Sequence, residues 1–198
     1  MADVKNYWIT RVQRPGKARF FATNQFKMQW DHFRAVERQP TVNGEKVHAA
    51  VGVQFDLGFS GSEVRIVRLK DGRWRLAEFQ VRLTMIPSLS PAWLVYIRRQ
   101  SSNAQRLLLR HERVHLEIHE RYARGLAIDI QSLRSKRTTE GEAGVELATA
   151  ASQLLEERRA KSDRYNKYYD KETDHGRRGQ KVWNRRFLVK EGTNSTLR

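Results

Sequence analysis

The spacing of apolar residues changes character near residue 90, and that change divides the chain into two kinds of structure. Before it, strand chemistry dominates. Tyr7-Trp8-Ile9-Thr10 and Arg19-Phe20-Phe21-Ala22-Thr23 concentrate aromatic and β-branched side chains. Phe26, Trp30 and Phe33 fit helical spacing better than alternation, which predicts a short helix within 26–36. Val47 to Leu57 alternates at period two, and Val64 to Leu69 repeats the pattern before the turn Lys70-Asp71-Gly72-Arg73. Asp-Gly between two such runs is a hairpin signal. The return strand, Arg75 to Ile86, puts Leu76, Phe79, Val81, Leu83 and Met85 mostly on one face. These runs predict an antiparallel meander with one packed face and one wet face carrying Arg65, Arg68, Arg73, Arg75 and Arg82.

Beyond Pro87-Ser-Leu-Ser-Pro91 the period becomes helical. A helix is predicted from near Ala92, with a break or cap at Gln100–Asn103. Asn103 to Leu133 then forms a long helix with an apolar stripe through Ala104, Leu108, Ile118 and Tyr122. Ser135 to Gly144 is polar and glycine-bearing, a predicted loop. A second long helix follows, striped by Val145, Ala148, Ala151, Leu155, Arg158, Ser162, Tyr165 and Tyr169, to about Asp170. The short connection predicts antiparallel pairing of the two helices. The expected fold is α+β: an antiparallel sheet over 1–90, a helical subdomain over 91–187 and a disordered tail over 188–198. No internal repeat or low-complexity tract interrupts this plan.

Composition narrows the chemistry. The 198 residues are 39% hydrophobic and 30% charged, enough for a folded core under a wet surface. No stretch is long and apolar enough to span a membrane. The formal net charge of +16 suits a polyanionic partner, whether nucleic acid or an acidic cell-envelope polymer, although a basic surface also serves solubility. There is no cysteine, which excludes disulfides and thiolate metal sites, so any metal must be held by His, Asp or Glu. The first residues, Met1 to Trp8, contain no apolar run of signal-peptide length; the expectation is an intracellular chain or a mature form that has lost its leader.

The long helix carries His111-Glu112-Arg113-Val114-His115. Histidines one turn apart leave the same helix face and can grip one zinc ion, while the intervening glutamate sits about 100° around the axis, in reach of a water but not itself a ligand. The competing explanation is coincidence on a charged helix, with Glu112 one more solvated carboxylate. Against it, both histidines lie on the apolar side, where an unpartnered pair is costly. Such a site needs a third protein ligand. His119 lies about 12 Å along the axis from His111 and is a poor candidate, better read as an ordinary polar side chain. His175, next to Gly176 at the close of the second helix, is the better one, because antiparallel pairing folds it back toward His111 and His115. Asp170 and Asp174 are alternatives, as ligands or as partners of a ligand imidazole. His32 and His48 fit structural or exposed positions better.

Pro87, Trp93, His111-Glu112-x-x-His115-Leu-Glu117-Ile118 and Tyr169-Asp170-x-x-Thr173-Asp174-His175-Gly176 together resemble a bacterial family of predicted secreted zinc-dependent proteases, over roughly 45–184. The first block is common to many zincins; its combination with the second is more specific. The resemblance implies a zinc metallopeptidase with His175 as third ligand, though the family's secretion signal is not seen here. On this reading His111, His115 and His175 hold Zn²⁺, Glu112 is the general base, and Tyr169 or Tyr168 donates to the developing oxyanion, although interhelix packing explains both tyrosines better. The substrate is a protein or peptide, held along an edge strand for which Ala77 to Ile86 is the candidate. Two rivals remain: a DNA-associated intracellular zinc protease, and a non-enzymatic basic nucleic-acid-binding module whose histidines are structural.

Overall fold

A computed structural model describes residues 6–12, 18–20, 28–42, 44–59 and 64–173. The fold is α+β. Strands β1 (Asn6–Val12), β2 (Ala18–Phe20), β6 (Val53–Gly58) and β9 (Phe79–Met85) form an antiparallel sheet in the order β2-β1-β9-β6. Three two-stranded pieces surround it: β3 (Arg34–Ala35) parallel to β10 (Pro91–Ala92), β4 (Thr41–Val42) with β5 (Glu45–Lys46), and β7 (Ile66–Arg68) with β8 (Trp74–Leu76). Helices α1 (Leu94–Arg98), α2 (Ser102–Ser132) and α3 (Glu140–Thr173) follow. No described helix is long and apolar enough to cross a membrane.

The alternation read from the sequence makes β9 the sheet's backbone. Phe79, Val81, Leu83 and Met85 are buried on one face, packed in the same core as Leu116, Leu126 and Ile130 of α2 and Leu147 and Ala151 of α3. Sheet and helices therefore share one core. The Asp71-Gly72 hairpin is present, with Gly72 in the left-handed region at φ 80°. The return strand, however, is broken at Ala77 and Glu78. Its first part pairs with β7 in a separate two-stranded ribbon, so the meander is not one sheet. Its second part is bonded on both sides, by β1 and β6. It is thus a central strand and has no free backbone edge for a peptide. Among the described strands β6 is the edge beside it.

Two further expectations are corrected. In place of a helix within 26–36 there is a single 3₁₀ turn, Trp30–His32, followed by β3, whose backbone is bonded to Ser90 and Ala92 instead; residues 26 and 27 lie outside the described set. The loop between the long helices ends at Thr139, not Gly144. Thr139 and Glu142 stand in the Thr-x-x-Glu spacing of a capping box, with the Glu142 amide donating to Thr139 Oγ1 at 3.4 Å and the hydroxyl to the Glu142 carboxylate at 2.8 Å. This cap outweighs the helix-weakening glycines 141 and 144 in the first turns. The buried stripe of α3 also differs from the expected one: Leu147 is buried while Val145 is 70% exposed. The tail 188–198 lies outside the described residues.

Candidate metal centre

α2 begins at a serine cap, Ser101 Oγ accepting from the Ala104 amide, and runs antiparallel to α3. The pairing is visible residue by residue: His111 meets Asp170, His115 meets Asn166, and His119 meets Ser162. Each row advances by four residues, so three polar side chains of α2 face three of α3 across an otherwise apolar seam.

At the centre of this seam three atoms form a nearly equilateral triangle. His111 Nε2 and His115 Nε2 are 3.1 Å apart, and they lie 3.1 and 3.0 Å from Asp170 Oδ1. Two imidazole N–H groups donating to one carboxylate oxygen would account for two sides, but would leave the third as a contact between two donors. Three ligands of a tetrahedral ion bound at about 2.0–2.1 Å stand roughly 3.3 Å apart. The triangle fits a cation better than it fits protons. His111, His115 and Asp170 are the group among the described residues that could hold a metal ion, and imidazole with carboxylate is a donor set suited to zinc or another divalent transition ion. His111 is 2% exposed, and Asp170 is the partly open member through which the site meets solvent.

The surroundings fix the rings. Tyr169 is fully buried and stacks on His111 at 4.8 Å between centroids, edge-on to His115 at 5.1 Å. His115 Nδ1 is 2.8 Å from Asn166 Oδ1, an acceptor, so Nδ1 carries the proton and Nε2 turns its lone pair to the triangle. Asn166 Nδ2 in turn donates to His119 Nε2 at 3.0 Å and to the Ser162 carbonyl at 3.1 Å, and His119 Nδ1 donates to Ser162 Oγ at 2.8 Å. His119 is therefore no ligand, as its spacing implied, but neither is it an ordinary polar side chain: it is buried and neutral, its pKa pushed down to about 3 by burial and by the nearby charge of His115. Asn166 and the bridging role of His119 were missed in the sequence. The signal was there, in Ser162, Asn166 and Asp170 repeating at four residues opposite the three histidines.

Glu112 is buried, 2% exposed, so it is not a solvated charge. Its Oε2 has no hydrogen-bond partner among the described residues. Burial raises its pKa to about 7; the Asp170 charge adds to this, while the His115 charge and the approaching Val51 amide oppose it. Val51 is held there by its neighbour. The Gly52 amide donates to Ser90 Oγ at 2.9 Å, the Ile86 amide donates to the Gly52 carbonyl at 2.9 Å, and a Cβ on Gly52 would stand 2.4 Å from Leu89. Burial also disfavours a charged His115 and a charged Asp170, yet each favours the other's charge; His115 is raised and Asp170 held well below the carboxylate range. A divalent ion at the triangle would therefore compete with protonation of His115.

The remaining candidates are placed as follows. Tyr168 is half exposed. His48 lies in a stack with Trp93 and Tyr96, 4.5 Å from the tyrosine ring, away from the triangle. Asp174, His175 and Gly176 lie outside the described residues, which leaves Asp170 as the described third donor. No curated protein and no solved structure matches this chain. The model of one family matches residues 30–176, spanning the sheet's central strand and both long helices, and the chain belongs to that family, described as "Bacterial protein of unknown function (DUF922)".

Proposed function

We propose that the chain is a zinc-dependent metallopeptidase of the His-Glu-x-x-His type, with His111, His115 and Asp170 holding the ion. The observation that carries this reading is the triangle of donor atoms 3.0–3.1 Å on a side, with a buried carboxylate one residue along the same helix. Bound there, zinc supplies Lewis acidity toward a carbonyl and toward a water. Glu112, whose carboxyl titrates near neutrality, is suited to take a proton from water and return it to the leaving amine. Tyr169 holds the His111 ring by stacking; an oxyanion-donor role for its hydroxyl is a further part of the proposal. The substrate is a protein or peptide. With β9 central, the described edge strands are β2 and β6, and the candidate for an extended chain is β6, which leads directly from the Val51-Gly52 segment beside Glu112.

The test is metal analysis of the purified chain with a casein assay. Zinc near one equivalent is expected, with hydrolysis abolished by chelator and restored by zinc. Glu112→Gln is expected to keep the metal and lose hydrolysis by about 10²–10⁴-fold. A chain that retains no divalent ion, or a Glu112→Gln variant with full activity, overturns the proposal. A purely binding module would keep its fold and lose nothing on chelation. Asp170→Ala and His175→Ala decide the third donor: the substitution that empties the site identifies it.

A further inference from the structure

The fold brings a second basic segment beside the arginine-rich strands that the sequence already marks. The β7–β8 ribbon carries Arg65, Arg68, Lys70, Arg73 and Arg75. The connection from α2 to α3, some sixty residues later, carries Arg134, Lys136 and Arg137. Backbone bonds join the two: the Trp74 amide donates to the Ser135 carbonyl at 2.8 Å and the Ser135 amide to the Trp74 carbonyl at 2.9 Å. The Trp74 indole N–H donates to the Arg137 carbonyl at 3.0 Å, and Ser135 is fully buried at the junction. Residues 64–75 and 134–137 therefore form one surface holding eight cations against one carboxylate, Asp71. All but Arg75 are exposed.

Some of this charge is answered. Arg73 pairs with Asp71 at 2.5 Å, Arg65 with Glu78 at 3.8 Å, and Arg137 with Glu146 at 2.9 Å. Of the other acids near the start of α3, Glu142 is engaged by Thr139 and Glu140 remains. Four exposed cations have no carboxylate partner among the described residues: Arg68, which lies over the Trp74 ring at 5.6 Å, Lys70, Arg134 and Lys136. Like charges held this close by backbone bonding repel one another, and a polyanion relieves that repulsion. Six of the eight cations are arginine, whose planar fork matches phosphate oxygens. The two segments contain none of the exposed large hydrophobic side chains, so nothing there is shaped to enter a lipid surface.

We propose that the β7–β8 ribbon and the α2–α3 connection together form a docking surface for nucleic acid, contacting the phosphate backbone without reading sequence. It lies at the opposite end of the helix pair from His111 and Asp170, about 25 Å along α2 from His115, and does not depend on the metal reading. A nucleic acid held there leaves the triangle open.

The test uses the full chain and fluorescence anisotropy with a short labelled duplex and single strand, between about 50 and 200 mM salt. Binding is expected to weaken steeply with salt. Replacing Arg68, Lys70, Arg134 and Lys136 together by Gln is expected to cost at least about tenfold in affinity at the lower salt and to flatten the log–log salt slope by about 3–4. A charge-matched set elsewhere, Arg98, Arg99, Arg106 and Arg110 to Gln, is expected to cost less than about threefold. Equal losses in both sets would show diffuse attraction and overturn the assignment. So would binding to anionic phospholipid vesicles without binding to nucleic acid, or no salt-sensitive binding at all. Thermal melts of both variants confirm that each is folded, and a loss confined to an unfolded variant is replaced by reading Lys70→Gln/Lys136→Gln in the same way.

Discussion

The two halves of the α2–α3 seam are built from the same pair of helices and do opposite things. Toward the connecting loop, Ala123, Leu126, Ala127 and Ile130 share one cluster with Leu147, Ala151 and Leu155, all buried and all apolar. Arg158, paired with Asp129 across the seam, marks the change. Beyond it the seam holds three histidines facing Ser162, Asn166 and Asp170. Burying a polar group without a partner costs about 1–3 kcal/mol, and even a satisfied one gains little over an apolar side chain of the same shape. The polar half is thus a poor way to hold two helices together. The apolar half supplies the stability, and the polar half uses it.

The sharpest way to break that division is to damage the apolar half. Ile130 is fully buried, and Ile130→Ala removes contacts without touching a polar group. It is expected to lower unfolding free energy by about 2–5 kcal/mol in denaturant titrations. Metal affinity, measured below the unfolding transition, should stay within about twofold. A large drop in affinity would mean that the two halves are mechanically coupled and that the division is wrong.

Acid probes the polar half next. His119 has its pKa lowered to about 3 in the fold against 6.5 unfolded. A depressed pKa means stability that is present above 6.5 and lost as pH falls toward 3. Glu112 works against it: raised from 4.5 to about 7, it contributes stability below 4.5 that is lost as pH rises toward 7. The two slopes oppose one another between about 4.5 and 6.5, so the metal-free wild type should be nearly flat there. In metal-free Glu112→Gln the His119 slope stands alone, and stability should fall by on the order of 2 kcal/mol from pH 6.5 to 4.5. Asp170, held low, enters only below its ordinary range, and His115, raised, only above. Adding His119→Gln should abolish the slope. A slope that survives would assign it to another group.

Period carried most of what the sequence made legible. The boundaries of α2 are within one residue of the predicted run because Ser101 is a side-chain cap and its apolar spacing is unbroken. The His-Glu-x-x-His face was readable because one helix carries it. What failed needed partners. Residues 75–86 read as one strand because alternation does not report which neighbour each half pairs with; the break at Ala77–Glu78 sends Trp74 to Ser135 and Phe79 to the sheet centre. The start of α3 lies earlier than the polar, glycine-bearing composition of 135–144 predicts, because Thr139 and Glu142 cap the helix ahead of both glycines. Asn166 is legible only as the middle step of the four-residue repeat Ser162, Asn166, Asp170, and that repeat gains meaning once the histidines are set opposite it.

Asn166 offers the finest test of the comparison, since it changes neither a ligand nor the apolar half. An amide can sit either way round, and only one way is compatible with a metal. With Oδ1 toward His115 Nδ1, the imidazole proton is on Nδ1 and Nε2 is free to ligate. With Nδ2 there instead, the proton moves to Nε2 and fills the triangle. What decides is the Ser162 carbonyl, which can only accept: Asn166 Nδ2 donates to it at 3.1 Å, and the same NH2 donates to His119 Nε2 at 3.0 Å, which puts Oδ1 toward His115. A backbone carbonyl one turn before Asn166 thus sets which nitrogen of His115 faces the triangle, and His119 Nε2 takes the same NH2. Asn166→Leu fills the same space without the bond and is expected to weaken metal affinity by about 10–100-fold in a chelator competition. Asn166→Asp keeps the acceptor for His115 and should hold affinity within about tenfold of wild type, while removing the donor to His119, whose imidazole should then charge at a higher pH. Nitrogen chemical shifts of the histidine rings read both effects separately. Unchanged affinity in the leucine variant would mean that His115 needs no such partner, and that the polar row opposite the histidines is packing after all.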